Sequence, residues 1–206
     1  AEGLVGGTQN TDPYTEVSAS LKVCMMNRSK MGNDLRLMAS GPRCGLGELN
    51  LPARQPGSSI MPGKVNPVIA EVLDQACYQV IAGDTALSLA VENGQFELNV
   101  MEPVMAFNLF NSMNYLRNAV DAFRTKLLIQ VTANREQCRD WLDKSVGIVT
   151  ALLPHIGYEN SAMLAREAYT TGRPIRDIVQ EKGILPEKRL SEILSPEQMT
   201  TPGIAG

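Results

Sequence analysis

The chain has 206 residues, of which 44% are hydrophobic and 20% are charged, and its formal net charge is −3. This composition is typical of a folded globular protein rather than a disordered one. The acidic balance argues against a nucleic-acid or anionic-membrane partner, because both normally require a basic surface. No apolar run approaches the roughly 20 residues that cross a bilayer, and no signal peptide is visible. We therefore expect a cytoplasmic protein.

The cysteines and the histidine argue against a metal site. The four cysteines are scattered without a Cys-x-x-Cys pair, and His155 is the one histidine. Zinc needs a cluster of thiolate and imidazole ligands, so we expect reduced, structural cysteines, no metal and no cofactor. The sequence begins at Ala1 without methionine in polar, loop-like sequence, and we expect it to be a fragment.

The first long element predicted is a helix over residues 13–40. Its apolar residues recur mostly at spacings of three or four, the pattern of an amphipathic helix. They are Val17, Leu21, Cys24, Met25, Met31, Leu35 and Met38. Pro13 suits a first turn, and Gly41-Pro42 ends the helix. About 26 residues at 1.5 Å each give close to 40 Å, a length typical of an extended bundle.

Residues 41–67 are rich in glycine and proline, and only 48–51 resemble a strand. Long irregular segments between strong helices are usually functional. Two further long helices are predicted at 68–92 and 103–131. Shorter amphipathic segments then follow, at 135–152, 158–171, 174–182 and 187–194. The sequence therefore predicts an all-α fold, with part of a long-helix central bundle over residues 1–132 and a small helical C-terminal domain over residues 133–206.

The segment 57–67 contains the residues best suited to chemistry. It holds two adjacent hydroxyls, a cation and an amide between flexible glycines. Glycines let a backbone approach a ligand closely, and successive loop N–H groups can hold an anion. A lysine can neutralise a carboxylate, and a serine can act as a base once its alkoxide is stabilised. From spacing alone, a rigid connector between helices is an equally good interpretation.

A family resemblance favours the functional interpretation. Residues 57–67, Gly-Ser-Ser-Ile-Met-Pro-Gly-Lys-Val-Asn-Pro, resemble the signature of the fumarase/aspartase superfamily. Other matching segments are Asn33 to Arg36, Ser40 to Arg43, Glu97 to Val100 and Pro154 to Tyr158. Val-Met-Glu-Pro at 100–103, residues 8–12 and the tail 199–206 resemble the aspartase branch, whereas fumarases tend to carry Phe-Lys-Pro near 103. The resemblance runs from Thr8 to Gly206 and corresponds to the second half of a family member.

The resemblance implies an ammonia-lyase that converts L-aspartate into fumarate and ammonia. Ser58 would be the general base that takes the C3 proton, giving an enediolate before ammonia leaves. Lys64 and Asn66 would bind a carboxylate of this small dicarboxylate substrate, and Ser59 would bond to backbone. Gly57 and Gly63 would support the loop.

The resemblance also implies a homotetramer with shared active sites. Glu71 would pair with a histidine from another subunit, although a first-turn helix acid needs no partner to be favourable. Two of the three segments that form the family's site would lie upstream of residue 1, so we expect the 206-residue chain to be inactive alone. His155 matches a C-terminal motif and is expected to be structural. Two alternatives stay open, a fumarate hydratase and a non-catalytic helical assembly segment.

Overall fold

A computed structural model describes residues 2–205 and is helical apart from loops and two short strands. The predicted all-α fold is confirmed. The chain divides into two compact units, Ala1–Asn134 and Arg135–Gly206. None of the described helices is both long enough and apolar enough to cross a bilayer.

The first unit is built from three long helices and one short one. They are α1 (Leu4–Gln9), α2 (Asp12–Met38), α3 (Val68–Glu92) and α4 (Glu102–Lys126). Among them α3 is central and packs against both α2 and α4. It contributes nine buried residues, against three from α2 and five from α4. Because those residues recur every three or four positions, α3 presents a wide apolar stripe to its neighbours.

The contact between α2 and α3 is close. The buried residues of α2 are Ser18, Met25 and Gly32, each seven positions from the next, which keeps them on one face of the helix. A Cβ atom on Gly32 would lie 3.3 Å from Asp74 Oδ1 and 3.5 Å from the Ala70 carbonyl oxygen, both on α3. The small side chains therefore let the two helices approach each other.

The C-terminal end of α4 differs from the prediction. The apolar spacing continues to Val131, but α4 ends at Lys126 and a single 3₁₀ turn, Leu128–Gln130, follows. Leu127 leaves the helical conformation (φ −129°, ψ −70°) and is buried. The chain then pairs as β2 (Thr132–Ala133), antiparallel to β1 (Leu49–Asn50). The non-helical Leu127 and the 3₁₀ turn thus replace the last predicted turn of the helix. The strand predicted at 48–51 is two residues long.

The second unit has its own apolar core. Its helices are α5 (Arg135–Lys144), α6 (Val149–Thr171), α7 (Ile175–Glu181), α8 (Glu187–Ile193) and α9 (Pro196–Met199). The predicted helix over 135–152 is wrong, because α5 ends at Lys144 and α6 begins five residues later. Gly157, at φ 78° and ψ 168°, interrupts α6 near the predicted break. The core consists of Leu152, Leu164, Ala168, Ile175, Ile178, Val179, Leu190, Ile193 and Leu194.

Candidate functional site

Residues 57–67, which we call the signature loop, lead directly into α3 and are closed by two hydrogen bonds. The Gly57 N–H donates to the Lys64 carbonyl oxygen at 2.8 Å. Asn66 Nδ2 donates to the Gly57 carbonyl oxygen at 3.0 Å. The tip of the loop is open to solvent, since Ile60 is 83% exposed. The loop is therefore tied at its base and free at its tip.

Two glycines are required by the shape of the loop. A Cβ atom on Gly57 would lie 2.4 Å from the carbonyl oxygen of Lys64, a distance that forces the backbone to move. Gly63 has a φ of +81°, a conformation that side chains other than glycine rarely adopt. The base of the loop can close only because these positions lack side chains.

The hydroxyl of Ser58 accepts two backbone hydrogen bonds inside the loop. The N–H groups of Ile60 and Met61 donate to Ser58 Oγ at 3.1 Å and 3.2 Å. Within residues 2–205, the neighbouring Ser59 hydroxyl makes no hydrogen bond. The bond to backbone expected of Ser59 is thus made by Ser58. Two donors aimed at one oxygen form a small site that favours negative charge on that oxygen.

Lys64 and Asn66 differ in how firmly they are held. The Lys64 side chain is exposed and has no ion-pair partner in the described part of the chain. Asn66 is half-buried and bonded across the loop by one amide hydrogen, which leaves its oxygen and its second hydrogen available. The loop therefore offers an exposed cation and an amide bonded in place.

A cluster of charged residues lies at the start of α3. Asp74 is 2% exposed and accepts hydrogen bonds from Ser29 Oγ at 2.8 Å and from Arg36 Nη1 at 3.0 Å. Arg36 Nη2 lies 3.9 Å from Glu71 Oε1. Beside them, burial raises the pKa of the Cys77 thiol; the Ser29 hydrogen bond opposes this rise, and the negative charge of Asp74 adds to it.

Glu71 opens onto a cleft of about 600 Å³. The cleft is lined by Arg54, Gln55, Val68, Ile69, Glu71, Val72, Gln75 and Lys126. Arg54 is fixed there, because its Nε donates to the Lys126 carbonyl oxygen at 2.7 Å. The cleft thus combines one carboxylate with two cations. The predicted site residues are divided, with Ser58, Lys64 and Asn66 in the loop and Glu71 in the cleft at the start of α3.

Comparison with known proteins identifies the family. A family profile described as Lyase matches residues 2–82, and one described as Fumarase C C-terminus matches residues 148–201. Over all 206 residues the chain is 58% identical to an aspartate ammonia-lyase from a Bacillus species and 57% identical to that of Bacillus subtilis. The chain belongs to the fumarase/aspartase superfamily. It spans 44% and 43% of the lengths of those two relatives. The profile described as Fumarase C C-terminus indicates that the chain corresponds to their C-terminal portion.

Solved structures of the superfamily share this fold. The class II fumarase from Schistosoma mansoni is 37% identical with a TM-score of 0.90, covering 98% of this chain and 42% of that protein. A fumarate lyase/delta crystallin from Brucella melitensis, in a cobalt-bound form, is 41% identical with a TM-score of 0.87. That match covers 96% of this chain and 43% of the Brucella protein.

Several residues of this superfamily member were not predicted from its sequence. The sequence predicts no role for Ser29, Asp74, Arg54 or Lys126, and Arg36 belongs only to a segment that resembles the superfamily. A signal existed for Asp74, because it falls within the buried stripe of α3 where an acid requires a partner. His155 lies in the second unit, with Nε2 2.6 Å from the carbonyl oxygen of Ala205. Within residues 2–205, no three His, Cys, Asp or Glu side chains stand close enough to hold a metal ion.

Proposed function

We propose that the protein carrying this chain eliminates ammonia from L-aspartate to give fumarate, with Ser58 as the general base. The observation that carries the proposal is the pair of backbone N–H groups that converge on Ser58 Oγ. They lie in an exposed loop whose closure requires Gly57. Ser145 and Ser195 accept similar backbone bonds at helix starts; what distinguishes Ser58 is its place in an exposed, glycine-bounded loop that also carries Lys64 and Asn66.

A serine hydroxyl is a very weak base, and the two N–H donors reduce this difficulty by stabilising the alkoxide form of Ser58. Once the hydroxyl is deprotonated, both contacts become charge-assisted bonds, which are shorter and about twice as strong as neutral ones. The ammonium group of Lys64, which has no acid partner within residues 2–205, can add positive charge nearby. Because these groups are in place before the reaction, little reorganisation opposes the formation of the alkoxide.

The elimination then proceeds in two steps. The Ser58 alkoxide takes one proton from C3 of aspartate, and the electron pair of that C–H bond moves into the adjacent carboxylate to form an enediolate. In the second step this electron pair returns to form the C2–C3 double bond while the C2–N bond breaks. The amine leaves from its protonated form, C–NH₃⁺, so that ammonia departs with the electrons of that bond. Ser58 releases the proton that it took from C3 to solvent before the next turnover. No oxidant or reductant is consumed.

Substrate binding is assigned to the remaining loop groups. Lys64 and the free amide atoms of Asn66 are suited to the carboxylate that carries the enediolate charge, because they supply a cation and a hydrogen-bond donor. Glu71 is assigned a supporting role in the adjacent cleft, where it would meet a histidine of a neighbouring subunit. Upstream segments of the complete protein would supply the rest of the site.

Active sites that are shared between subunits require the subunits to assemble. The long helices carry exposed apolar side chains that could form such contacts. Large apolar side chains on α3 and α4 are exposed, and they include Tyr78 at 57%, Phe107 at 66% and Phe110 at 63%. Large exposed apolar side chains on these helices support a face that is covered in the assembled protein. We propose that the protein is a homotetramer in which different subunits complete each active site.

Fumarate hydratase is the second candidate. The superfamily includes fumarases, and the Schistosoma enzyme has the same fold at 37% identity. The greater identity to aspartate ammonia-lyases, 58% and 57%, favours aspartate as the substrate. Parallel assays with L-aspartate and L-malate separate the two activities, because both yield fumarate, which absorbs in the ultraviolet.

The test of the base is Ser58→Ala in the complete polypeptide, by which we mean this chain preceded by the segment that its relatives carry upstream. We expect fumarate formation to fall by about 1,000-fold or more, since loss of a catalytic residue removes transition-state stabilisation directly. Ser20→Ala is the control, because Ser20 is an exposed serine on α2 whose hydroxyl donates to the Glu16 carbonyl oxygen and bonds to no other group within residues 2–205.

Sedimentation measurements on both variants establish whether assembly is retained. Loss of elimination with assembly intact supports the enzyme and its base. Unchanged elimination in Ser58→Ala contradicts the assignment of the base. If the unmodified polypeptide assembles but forms no fumarate from either substrate, the chain is a non-catalytic assembly segment.

A further inference from the structure

Arg36 connects the buried core of the first unit to the cleft at the start of α3. One of its terminal nitrogens, Nη1, donates to Asp74 Oδ2 at 3.0 Å and lies 3.3 Å from Asn33 Oδ1. Asp74 is itself held by Ser29, and its side chain is 3% exposed. The guanidinium is therefore fixed from the side of the core by a carboxylate that cannot turn towards solvent.

The other terminal nitrogen of Arg36 lies towards Glu71, which lines the cleft. Nη2 lies 3.9 Å from Glu71 Oε1, which is too long for a hydrogen bond but close enough for an electrostatic attraction, which solvent weakens because the two side chains are 38% and 35% exposed. Glu71 is three residues before Asp74 on α3, so both carboxylates lie on one face of the helix. Without a cation between them, these like charges would repel, and the more exposed Glu71 would turn away.

We infer that Arg36 is a positioning residue for the elimination, acting through Glu71 rather than on the substrate. This inference rests on the proposed function. The planar guanidinium keeps its two terminal nitrogens in a fixed relation, so an arginine held by Asp74 keeps its positive charge beside Glu71 and biases the position of that carboxylate. Lysine, with a single nitrogen, could pair with either acid but could not fix both in the same way.

The same helix pair contains a natural control. Asp84 on α3 is also buried, and it accepts a hydrogen bond from Ser18 at 2.8 Å and pairs with Lys22. Lys22 reaches no second carboxylate within residues 2–205. Exchanging the cation at this position therefore tests the structural part of the interaction alone.

The experiment compares Arg36→Lys, Glu71→Gln and the double variant in the complete polypeptide, with Lys22→Arg as the control. Arg36→Lys keeps a cation for the buried Asp74, so folding and assembly should be retained. We expect its kcat to fall about ten- to 100-fold, the effect of a misplaced positioning contact, with KM little changed. Lys22→Arg should leave kcat at the level of the unmodified protein.

The double variant decides whether Arg36 acts through Glu71. If it does, Arg36→Lys causes no further loss of kcat once Glu71 is replaced. If the losses of kcat in the two single variants multiply in the double variant, the inference is overturned. It is also overturned if Arg36→Lys changes KM alone, or if Lys22→Arg loses kcat to the same extent. Absence of fumarate formation by the unmodified polypeptide overturns the proposed function, and the inference with it. Turnover by the unmodified polypeptide with independent losses overturns the inference alone.

Discussion

Two buried aspartates on α3, Asp74 and Asp84, are held in the same way but lead to different surroundings. Each accepts a hydrogen bond of 2.8 Å from a serine on α2, and each pairs with a cation from α2. At Asp84 the cation is Lys22, and the described network ends there. At Asp74 the cation is Arg36, whose second nitrogen extends to Glu71 in the cleft.

The difference shows how one structural device can serve two purposes. Burying a carboxylate is unfavourable unless it is paired and hydrogen-bonded, so each aspartate fixes the register of α2 against α3. The ammonium group of Lys22 neutralises Asp84 and contacts no second carboxylate within residues 2–205. A guanidinium has donors left over, and at the end of α3 nearest the signature loop those donors face a functional candidate. The register of α2 against α3 is thus linked to the position of Glu71 at the Asp74 end of the helix pair, and not at the Asp84 end.

The contrast between Asp74 and Asp84 matters for function only if the reaction takes place at the end of α3 next to the signature loop. Gly57→Ala tests this requirement and has the largest expected effect. The added Cβ would lie 2.4 Å from the Lys64 carbonyl oxygen, so the hydrogen bond at the base of the loop must break. The N–H groups on Ser58 would then be misplaced. We expect kcat to fall about 100- to 1,000-fold, as when an oxyanion donor is lost.

Gly45→Ala is the matched control for this loss. Its Cβ would also lie 2.4 Å from a carbonyl oxygen, that of Ser40, but in a turn outside the signature loop. Both variants should lower the denaturant midpoint of unfolding, and only Gly57→Ala should lower kcat strongly. Similar losses of kcat in the two variants would show that general distortion, rather than loop closure, limits the rate.

Paired serine substitutions sharpen the comparison at the two aspartates. Ser29→Ala and Ser18→Ala each remove one hydrogen bond to a buried carboxylate, and each should cost about 1.5–3 kcal/mol in the free energy of unfolding. Urea unfolding of the assembled protein measures this cost. Only Ser29→Ala should also lower kcat, because only Asp74 fixes Arg36. Equal kcat in the two variants would mean that the Asp74 cluster has a packing role alone.

The elements whose limits are marked locally in the sequence could be predicted well. The bounds of α3, Val68–Glu92, agree with the prediction, because Pro67 precedes the apolar stripe and Asn93-Gly94 follows it. The end of α4 could not be predicted in this way. Its apolar spacing continues beyond Lys126, yet the buried Leu127 leaves the helical conformation and the chain turns to pair with the distant strand β1 from Thr132 onwards.

The same distinction applies to the candidate site, where local sequence features could be predicted and contacts between helices could not. The signature loop was recognised because its chemistry lies within eleven consecutive residues. The contact between Arg36, Asp74 and Glu71 depends on the register of two helices, which no local pattern encodes. The sequence predicts that the Ser59 hydroxyl bonds to backbone. In the structure the Ser58 hydroxyl does so instead, because the N–H groups of Ile60 and Met61 turn back towards it.

Thiol reactivity provides the finest test of the Asp74 cluster. Burial raises the pKa of Cys77, so less of this thiol is the reactive thiolate at pH 8 than of an ordinary cysteine. Cys44 is exposed. Iodoacetamide should therefore modify Cys44 first and Cys77 at least about tenfold more slowly, as measured by mass spectrometry of peptides from the folded protein.

Two variants give opposite changes in the rate at Cys77. The Ser29 hydrogen bond lowers the Cys77 pKa, so Ser29→Ala should raise it further and slow the modification. The negative charge of Asp74 raises the pKa, so Asp74→Asn should lower it and speed the modification. Faster modification in both variants would show that the helices open locally when the cluster is weakened. In that case Asp74 would hold α2 and α3 together without the rigidity that positioning of Arg36 requires.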